Sequence, residues 1–153
     1  MANFFYELFS NEIVMCPVSA WVTAQLLKTL IYTITYQEFN KERLLGDGGM
    51  PSSHSALVVA LAISTARECG VASSNFAIAL AFAAVVMYDA MGVRRAAGEQ
   101  AKIINRIVDE FFDKTYWKDK NLPQIKQLKE MLGHTPLEVI GGIIVGIVVA
   151  SVL

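Results

Sequence analysis

Apolar residues fall in four blocks along the chain, separated by polar and charged stretches. The blocks span residues 13–34, 55–66, 76–87 and 137–153. The first is long enough to cross a bilayer as an α-helix, the last is close to the minimum, and the middle two reach that length only with their flanking residues. The pattern predicts an all-α integral membrane bundle of about four transmembrane helices. The brevity of the middle two also allows a helical hairpin partly buried in protein.

The composition supports a membrane protein. Hydrophobic residues make up 54% of the chain and the mean hydropathy is +0.44, which is typical of a chain that faces lipid. Residues 13–34 begin too far from a basic segment, and lack the small-residue cleavage pattern, to be a secretory signal. We therefore expect them to remain in the mature chain. The sequence shows no internal repeat, and we predict one membrane-embedded domain over residues 1–153.

The distribution of Lys and Arg predicts the orientation in the membrane. None precedes the first predicted helix, Lys41 and Arg43 lie between the first and second, and Arg67 alone lies between the second and third. Nine more, from Arg94 to Lys129, lie between the third and fourth. Because basic loops stay on the cytoplasmic side, the first and third loops should be cytoplasmic and both termini should face outward.

The third loop carries an amphipathic pattern. Within residues 97–112 apolar side chains recur at steps of three and four, with charged residues between them, as on a one-sided helix. A turn-like stretch at 118–121 precedes a second such piece at 122–131. We predict a helical hairpin that covers the cytoplasmic end of the bundle. Alternatively its basic and aromatic residues, including Tyr116 and Trp117, could lie on anionic lipid headgroups.

Polar residues converge on this cytoplasmic face. The second predicted helix begins at 51–54, directly after two glycines, the third ends near 88–95, and the fourth begins at 133–138. Both histidines of the chain, His54 and His134, lie in these stretches. Helix N-termini present unpaired N–H groups, glycines allow close approach of the backbone, and arginine offers a fork for phosphate oxygens. Two histidines could supply a nucleophile and a proton donor, so the set predicts phosphate recognition and phosphoryl transfer.

Three motifs in these stretches carry a family resemblance. They are GGMPSSHSALVVALA, YDAMGVRRAAGEQA and LGHTPLEVIGG. On them the chain resembles the divergent, bacterial and plant branch of the phosphatidic acid phosphatase type 2 and vanadium haloperoxidase-related proteins. The resemblance implies a metal-independent, cofactor-free membrane phosphatase whose substrate is a phosphorylated lipid or isoprenoid. It implies a membrane location, which we expect to be a bacterial cell membrane with the motif-bearing loops cytoplasmic, and no nucleic-acid partner.

The resemblance also implies roles for particular residues. Typical members carry a P-S-G-H motif whose histidine is an acid, and residues 51–54 are similar, with Ser53 in the glycine position. A second motif, S-R-x-x-x-x-x-H-x-x-x-D, supplies the nucleophilic histidine and the aspartate that orients it. His134 and Glu138 match these two at the same spacing. The expected catalytic residues are thus His134 as nucleophile, Glu138 as its orienting carboxylate and His54 as acid.

The chain departs from the family pattern at two points. Leu128 stands six residues before His134, where the motif has arginine, and no clear K-x-x-x-x-x-x-R-P motif precedes Pro51. We infer that Arg94 or Arg95 supplies the missing phosphate contact from another helix. The residues expected to bind the phosphate group are Gly48, Gly49, Ser52, Ser53, Arg94, Arg95, Lys28 and Asp89.

Several of these residues also suit purely structural roles. Thr135 and Glu138 have the spacing of a capping box, so Glu138 could serve the helix start, with or without orienting His134. Ser52 or Ser53 could be an N-cap, and the arginines could be ordinary cytoplasmic anchors. We favour a structural ion pair between Asp89 and one of the arginines. Lys28, within an apolar helix, could snorkel or pair with Asp89.

Small residues recur every four positions in the last predicted helix, at Gly142, Gly146 and Ala150. Such a face lets helices approach closely and could pack the monomer or build a homodimer.

Two other functional classes stay open at this stage. One is a non-catalytic membrane protein that binds phosphate headgroups or a partner, and the other is an oligomeric transporter of lipid or small solutes.

Overall fold

The computed structural model describes residues 1–38, 48–111, 128, 130 and 132–153. Within them the chain forms six α-helices and no β-strand, which confirms the predicted all-α class. The predictions made for Lys41, Arg43, Tyr116 and Trp117 lie outside the described residues. The helices are α1 (Ala2–Ser10), α2 (Glu12–Tyr36), α3 (Ser53–Cys69), α4 (Ser74–Met91), α5 (Val93–Phe111) and α6 (Pro136–Val152).

Side-chain caps fix where the helices begin. The Asn11 side chain accepts the Ile13 N–H at 3.0 Å before α2, and Ser73 Oγ accepts the Phe76 N–H at 3.2 Å before α4. Each cap satisfies one of the backbone donors that the first helical turn leaves unpaired. Gly70 ends α3 at a positive φ of 82°, a conformation that favours glycine.

Two helical stretches are long and apolar enough to cross a membrane. They are Glu12–Tyr36 and Ser74–Glu110, the second being α4 continued into α5. The apolar helix α6 is shorter. Helix α3 packs against α2, α4 and α6, and eight of its 17 residues are buried. The structure therefore supports two of the four predicted spans by length and composition, and one of the short middle helices lies inside the bundle.

The bundle has small residues inside and large apolar residues outside. Leu30, Phe82 and Ile144 on three different helices are each about half exposed. Lipid is as apolar as leucine, so helices in a membrane gain most from close backbone packing over small side chains. The core cluster follows that rule and consists of Cys16, Ala20, Ala24, Ala56, Ala60 and Ala150.

The small residues of α6 face α3. A Cβ on Gly142 would overlap the Ser52 carbonyl oxygen, and one on Gly146 would lie 2.7 Å from the Ala56 carbonyl oxygen. Ala150 is completely buried. Of the two roles open from the sequence, packing within one chain is therefore the one that this face performs in the structure.

The helices α4 and α5 meet at a bend. Gly92 lies between them with φ −98° and ψ −92°, while its N–H still donates to the Tyr88 carbonyl at 2.8 Å. Helix α5 covers most of the predicted first arm of the hairpin, residues 97–112. Leu128 and Glu130 belong to the predicted second arm but are not helical, and the rest of residues 122–131 lies outside the described residues. The bend separates the apolar helix α4 from the charged helix α5, whose first turn carries the candidate residues Arg94 and Arg95.

Candidate active site

His134 and Glu138 form the centre of the site. His134 is 4% exposed, and its Nδ1 lies 2.9 Å from Glu138 Oε2. His134 directly precedes the Thr135 N-cap and Glu138 lies in the first turn, so both side chains are at the start of α6. An ionised carboxylate only accepts hydrogen bonds, so this contact favours the tautomer with the proton on Nδ1 and a lone pair on Nε2. Nε2 is then the nitrogen available for chemistry.

Glu138 also caps α6. Its Oε2 accepts the Thr135 N–H at 3.2 Å, and Thr135 Oγ1 accepts the Glu138 N–H at 3.4 Å. This is the reciprocal capping box expected from the sequence, with Pro136 at the first helical position. The structural and the orienting role of Glu138 thus coexist, because one carboxylate oxygen contacts both the Thr135 N–H and the His134 ring.

Gly133 and His134, which precede the N-cap of α6, contact the junction of α4 and α5. The His134 N–H donates to the Ala90 carbonyl at 2.9 Å. Gly133 has φ +77°, and a Cβ there would lie 2.6 Å from the Arg95 Cα and 2.8 Å from the Arg94 carbonyl carbon. Only glycine fits this close backbone contact without displacement. The arginine pair and His134 are therefore brought together by backbone packing.

The start of α3 is joined directly to α6. The Ser52 N–H donates to the Glu138 carbonyl at 2.9 Å. Ser52 Oγ accepts the Ser55 N–H at 3.3 Å and the Ser55 hydroxyl at 3.0 Å, so Ser52 is the N-cap that the sequence indicated. Ser52 and Ser53 are both buried. His54 follows in the first turn of α3, on the side of the bundle that carries His134.

A cavity of about 170 Å³ contains both histidines. Arg94 and Asp89 line it with them, and Arg94 Nε contacts Asp89 Oδ2 at 2.7 Å. This is the ion pair favoured from the sequence. Both partners are partly exposed, and the Nε contact leaves the two Nη groups of the guanidinium available to an anion. The remaining wall is apolar or backbone and consists of Val85, Val86, Ala90 and Gly133.

Two further cavities adjoin the same residues. One of about 530 Å³ is lined by Arg95 and the glycine pair, and also by His134 and Glu138. In that pair Gly48 has φ +80° and Gly49 has φ +85°. The two neighbouring arginines therefore face different cavities, and His134 borders both.

The third cavity, of about 310 Å³, is lined by Lys28, Gly49 and Glu138. Lys28 is 3% exposed, and a Cβ on Gly49 would lie 3.5 Å from its Cγ. Six of the eight predicted phosphate-binding residues are thus divided among three cavities that share His134 or Glu138. Ser52 and Ser53 are buried and line none of these cavities. In the part of the chain that the structure describes, no group of three or more His, Cys, Asp or Glu side chains could hold a metal ion.

Sequence reasoning missed the contacts between α5 and the residues that precede His134. Asn105 is buried and binds the backbone of Leu128, and Gly98 lies against Glu130 and Leu132. One signal was present in the sequence, because Asn105 interrupts the apolar side of an otherwise amphipathic helix next to Ala101. A polar residue in such a position needs a hydrogen-bond partner when it is buried.

An all-helical fold with two long apolar helices and a histidine-based cavity defines the chain as a helical membrane protein with a candidate active site. The chain belongs to the Divergent PAP2 family, whose sequence model matches residues 9–149. It is 42% identical over 156 residues to a protein of Bacillus subtilis (strain 168) with the name "Uncharacterized membrane protein YuiD", and the match covers 96% of each chain. No solved structure gives a significant match.

Proposed function

We propose that the chain is a membrane phosphatase that hydrolyses a lipid phosphate or a related phosphomonoester through a phosphohistidine intermediate, without a metal ion. The observation that carries this proposal is the cavity shared by His54, His134 and Arg94, in which a carboxylate contacts Nδ1 of one imidazole. Membership of the Divergent PAP2 family supports the same chemistry. The apolar wall formed by Val85 and Val86 suits a substrate with an apolar body.

In the first step His134 Nε2 attacks phosphorus and forms a P–N bond while the bond to the leaving oxygen breaks. His54 gives its proton to that oxygen, so the alcohol leaves neutral. Glu138 holds the His134 ring and stabilises the positive charge that the imidazole acquires. In the second step water attacks phosphorus, His54 takes the proton from that water, and the P–N bond breaks to restore His134 and release phosphate.

Charge on the three equatorial oxygens of the transferred group requires stabilisation. The Arg94 Nη groups are the proposed side-chain donors, since Arg94 lines the cavity of both histidines. Backbone N–H groups at Gly48, Gly49 and Ser53 are further donors in the proposal. Removal of one donor aimed at developing charge typically costs about 10²–10³-fold in rate.

The proposal includes a topology. The chain crosses the membrane four times as a single domain, with α3 and α6 completing the set begun by α2 and α4. The motif-bearing ends of α3, α4 and α6 face the cytoplasm of a bacterial cell. This orientation follows from the Lys and Arg distribution.

The decisive experiment is phosphate release by purified protein in detergent and in lipid, with lipid phosphates and isoprenoid phosphates as substrates. His134→Asn is the sharpest variant, because its amide can keep a hydrogen bond to Glu138 while it lacks Nε2. We expect it to abolish release without loss of thermal stability. Orthovanadate, which adopts the trigonal-bipyramidal geometry of the transition state, should inhibit the wild type.

His54→Ala provides a second arm. It should slow release most for substrates with poor leaving groups, since the proposed task of His54 is to protonate the departing oxygen. If wild-type protein binds a lipid phosphate but releases phosphate from none, and if binding is indifferent to His134→Asn, the chain is a headgroup-binding protein. That result would replace catalysis with the binding alternative.

A further inference from the structure

Asn105 makes an unusual set of contacts for a residue in the middle of a helix. It is 7% exposed, and its side-chain Nδ2 donates to the Leu128 carbonyl at 2.9 Å and to Glu130 Oε1 at 2.8 Å. Its Oδ1 accepts the Leu128 N–H at 2.9 Å. Both N–H donors and the acceptor of the amide are therefore used. One side chain satisfies the donor and the acceptor of Leu128, as a neighbouring strand would.

Further contacts continue this arrangement towards the active site. Gly98 lies two helical turns before Asn105, and a Cβ there would lie 2.8 Å from the Glu130 carbonyl oxygen and 2.9 Å from the Leu132 carbonyl oxygen. Gly133 then packs on the backbone of Arg95 at the start of α5. The chain before α6 thus runs antiparallel to α5, in contact with it at each of these points.

The geometry leaves this segment little slack. The eleven residue steps of α5 from Arg94 to Asn105 cover about 16 Å at the helical rise. The six residue steps from Leu128 to His134 reach at most about 22 Å when fully extended. A chain of this length has limited spare reach over such a distance, so the position of Leu128 restricts the position of His134.

We propose that Asn105 is a positioning residue that fixes the segment 128–134 along α5 and thereby sets His134 against Arg94. Leu128 stands where the family motif has arginine. In this chain the backbone of Leu128, rather than its side chain, makes the contact with Asn105. The catalytic consequence rests on the proposed function, whereas the positioning itself does not. Asn105 touches neither histidine and acts only through the segment.

The test measures the accessibility of His134 to diethylpyrocarbonate, which modifies exposed imidazoles. Mass spectrometry of the full chain in detergent gives the rates at His134 and at His54, so the second histidine is an internal reference. The variants are Asn105→Ala and Asn105→Asp, and Gln100→Ala on the exposed side of the same helix is the matched control. Asp keeps the shape and the acceptor but loses both donated hydrogen bonds.

We expect the ratio of the His134 rate to the His54 rate to rise about tenfold in Asn105→Ala, the factor that corresponds to about 1.4 kcal/mol of lost hydrogen bonding. Asn105→Asp should raise it at least as much, because its carboxylate meets the Leu128 carbonyl and the Glu130 carboxylate. Gln100→Ala should leave the ratio unchanged. An unchanged ratio in both Asn105 variants, or an equal rise at both histidines, would overturn the proposal.

Phosphate release adds a separate arm. If the wild type is a phosphatase, both Asn105 variants should lower kcat more than they raise KM, since the substrate still meets Arg94 while the nucleophile is displaced. A rise in KM with an unchanged kcat would contradict the positioning role. If the wild type releases no phosphate, the proposed function fails, and the modification ratio still decides the role of Asn105.

Discussion

Gly142→Ala should both destabilise the protein and impair the site, because Gly142 is the closest approach of α6 to α3. The new Cβ would overlap the Ser52 carbonyl oxygen and lie 2.8 Å from Ser55 Cβ, about 0.6 Å short of ordinary van der Waals contact. Both obstacles belong to the backbone or to a side chain with no freedom to withdraw. The two helices must separate by more than half an ångström.

The expected change in stability of Gly142→Ala is the difference between two opposed effects. Alanine in place of glycine inside a helix gains about 1 kcal/mol of intrinsic stability. Overpacking of a close contact costs about 1–3 kcal/mol, and more where the neighbour is backbone. We expect a net loss that lowers Tm by several degrees, at about 2–4 °C per kcal/mol for a chain of this size. Separation of the helices also moves His54 away from His134, and a 1 Å misplacement can cost about 10²-fold in rate.

The adjacent residue provides the control. Gly141→Ala makes the same change in the same helix, but its Cβ would lie 3.2 Å from the flexible end of the Met50 side chain and no closer than 3.5 Å to Pro51, which is ordinary contact. It should therefore be neutral or stabilising. Thermal unfolding followed by size-exclusion chromatography, with phosphate release measured on the surviving fraction, compares the two variants. Equal Tm values for Gly141→Ala and Gly142→Ala would refute the packing argument.

The other predictions concern the arginines, the helix cap and the topology. Arg94→Ala should weaken inhibition by orthovanadate more than Arg95→Ala does, because Arg94 lines the cavity of both histidines; the reverse order would move the phosphate site to the neighbouring cavity. Thr135→Val should cost about 1 kcal/mol of stability through the lost cap with little effect on rate, whereas Glu138→Gln should lower the rate of phosphate release, and equal effects on rate would contradict the orienting role. A cysteine in place of Asn3 should react with an impermeant reagent outside intact cells while one in place of Arg95 should not, and labelling in the opposite sense would reverse the proposed topology.

Local features of the site could be predicted from the sequence. The Ser52 cap and the capping box that ends in Glu138 depend on residues three apart, and the Asp89–Arg94 pair depends on residues five apart. The two caps follow from local helix geometry, so a sequence pattern contains them. The Asp89–Arg94 pair spans the bend at Gly92 and was expected because opposite charges lie close in the chain. The contact between His134 and Glu138 was expected from the spacing of the family motif.

Contacts between distant segments could not be predicted. Asn105 meets Leu128 across 23 positions, and nothing in either local pattern names the partner. The division of labour between Arg94 and Arg95 was equally hidden, since consecutive residues on a helix point about 100° apart. Which of them faces the histidine cavity depends on the rotation that the bend at Gly92 gives to α5.

The number of membrane spans was uncertain in the sequence for a related reason. Apolar length alone does not distinguish a helix that faces lipid from one enclosed by other helices. Helix α3 carries buried polar side chains such as Ser55, Ser64 and Thr65, each of which donates a hydrogen bond to a residue three or four positions earlier. Helices α2, α4 and α6 enclose α3, and that enclosure cannot be deduced from the sequence of α3.

The hydrogen bond from the Ser52 N–H to the Glu138 carbonyl has a consequence for how the family can diverge. Both groups are backbone, so the hydrogen bond itself uses the side chain of neither residue. The backbone contact that holds the two histidine-bearing segments together is therefore independent of substitutions in the rest of the pocket. A family member could therefore lose the usual arginine and lysine motifs and bind phosphate through a cation on another helix. Its substrate could change as well, while the distance between the two histidine-bearing turns stays the same.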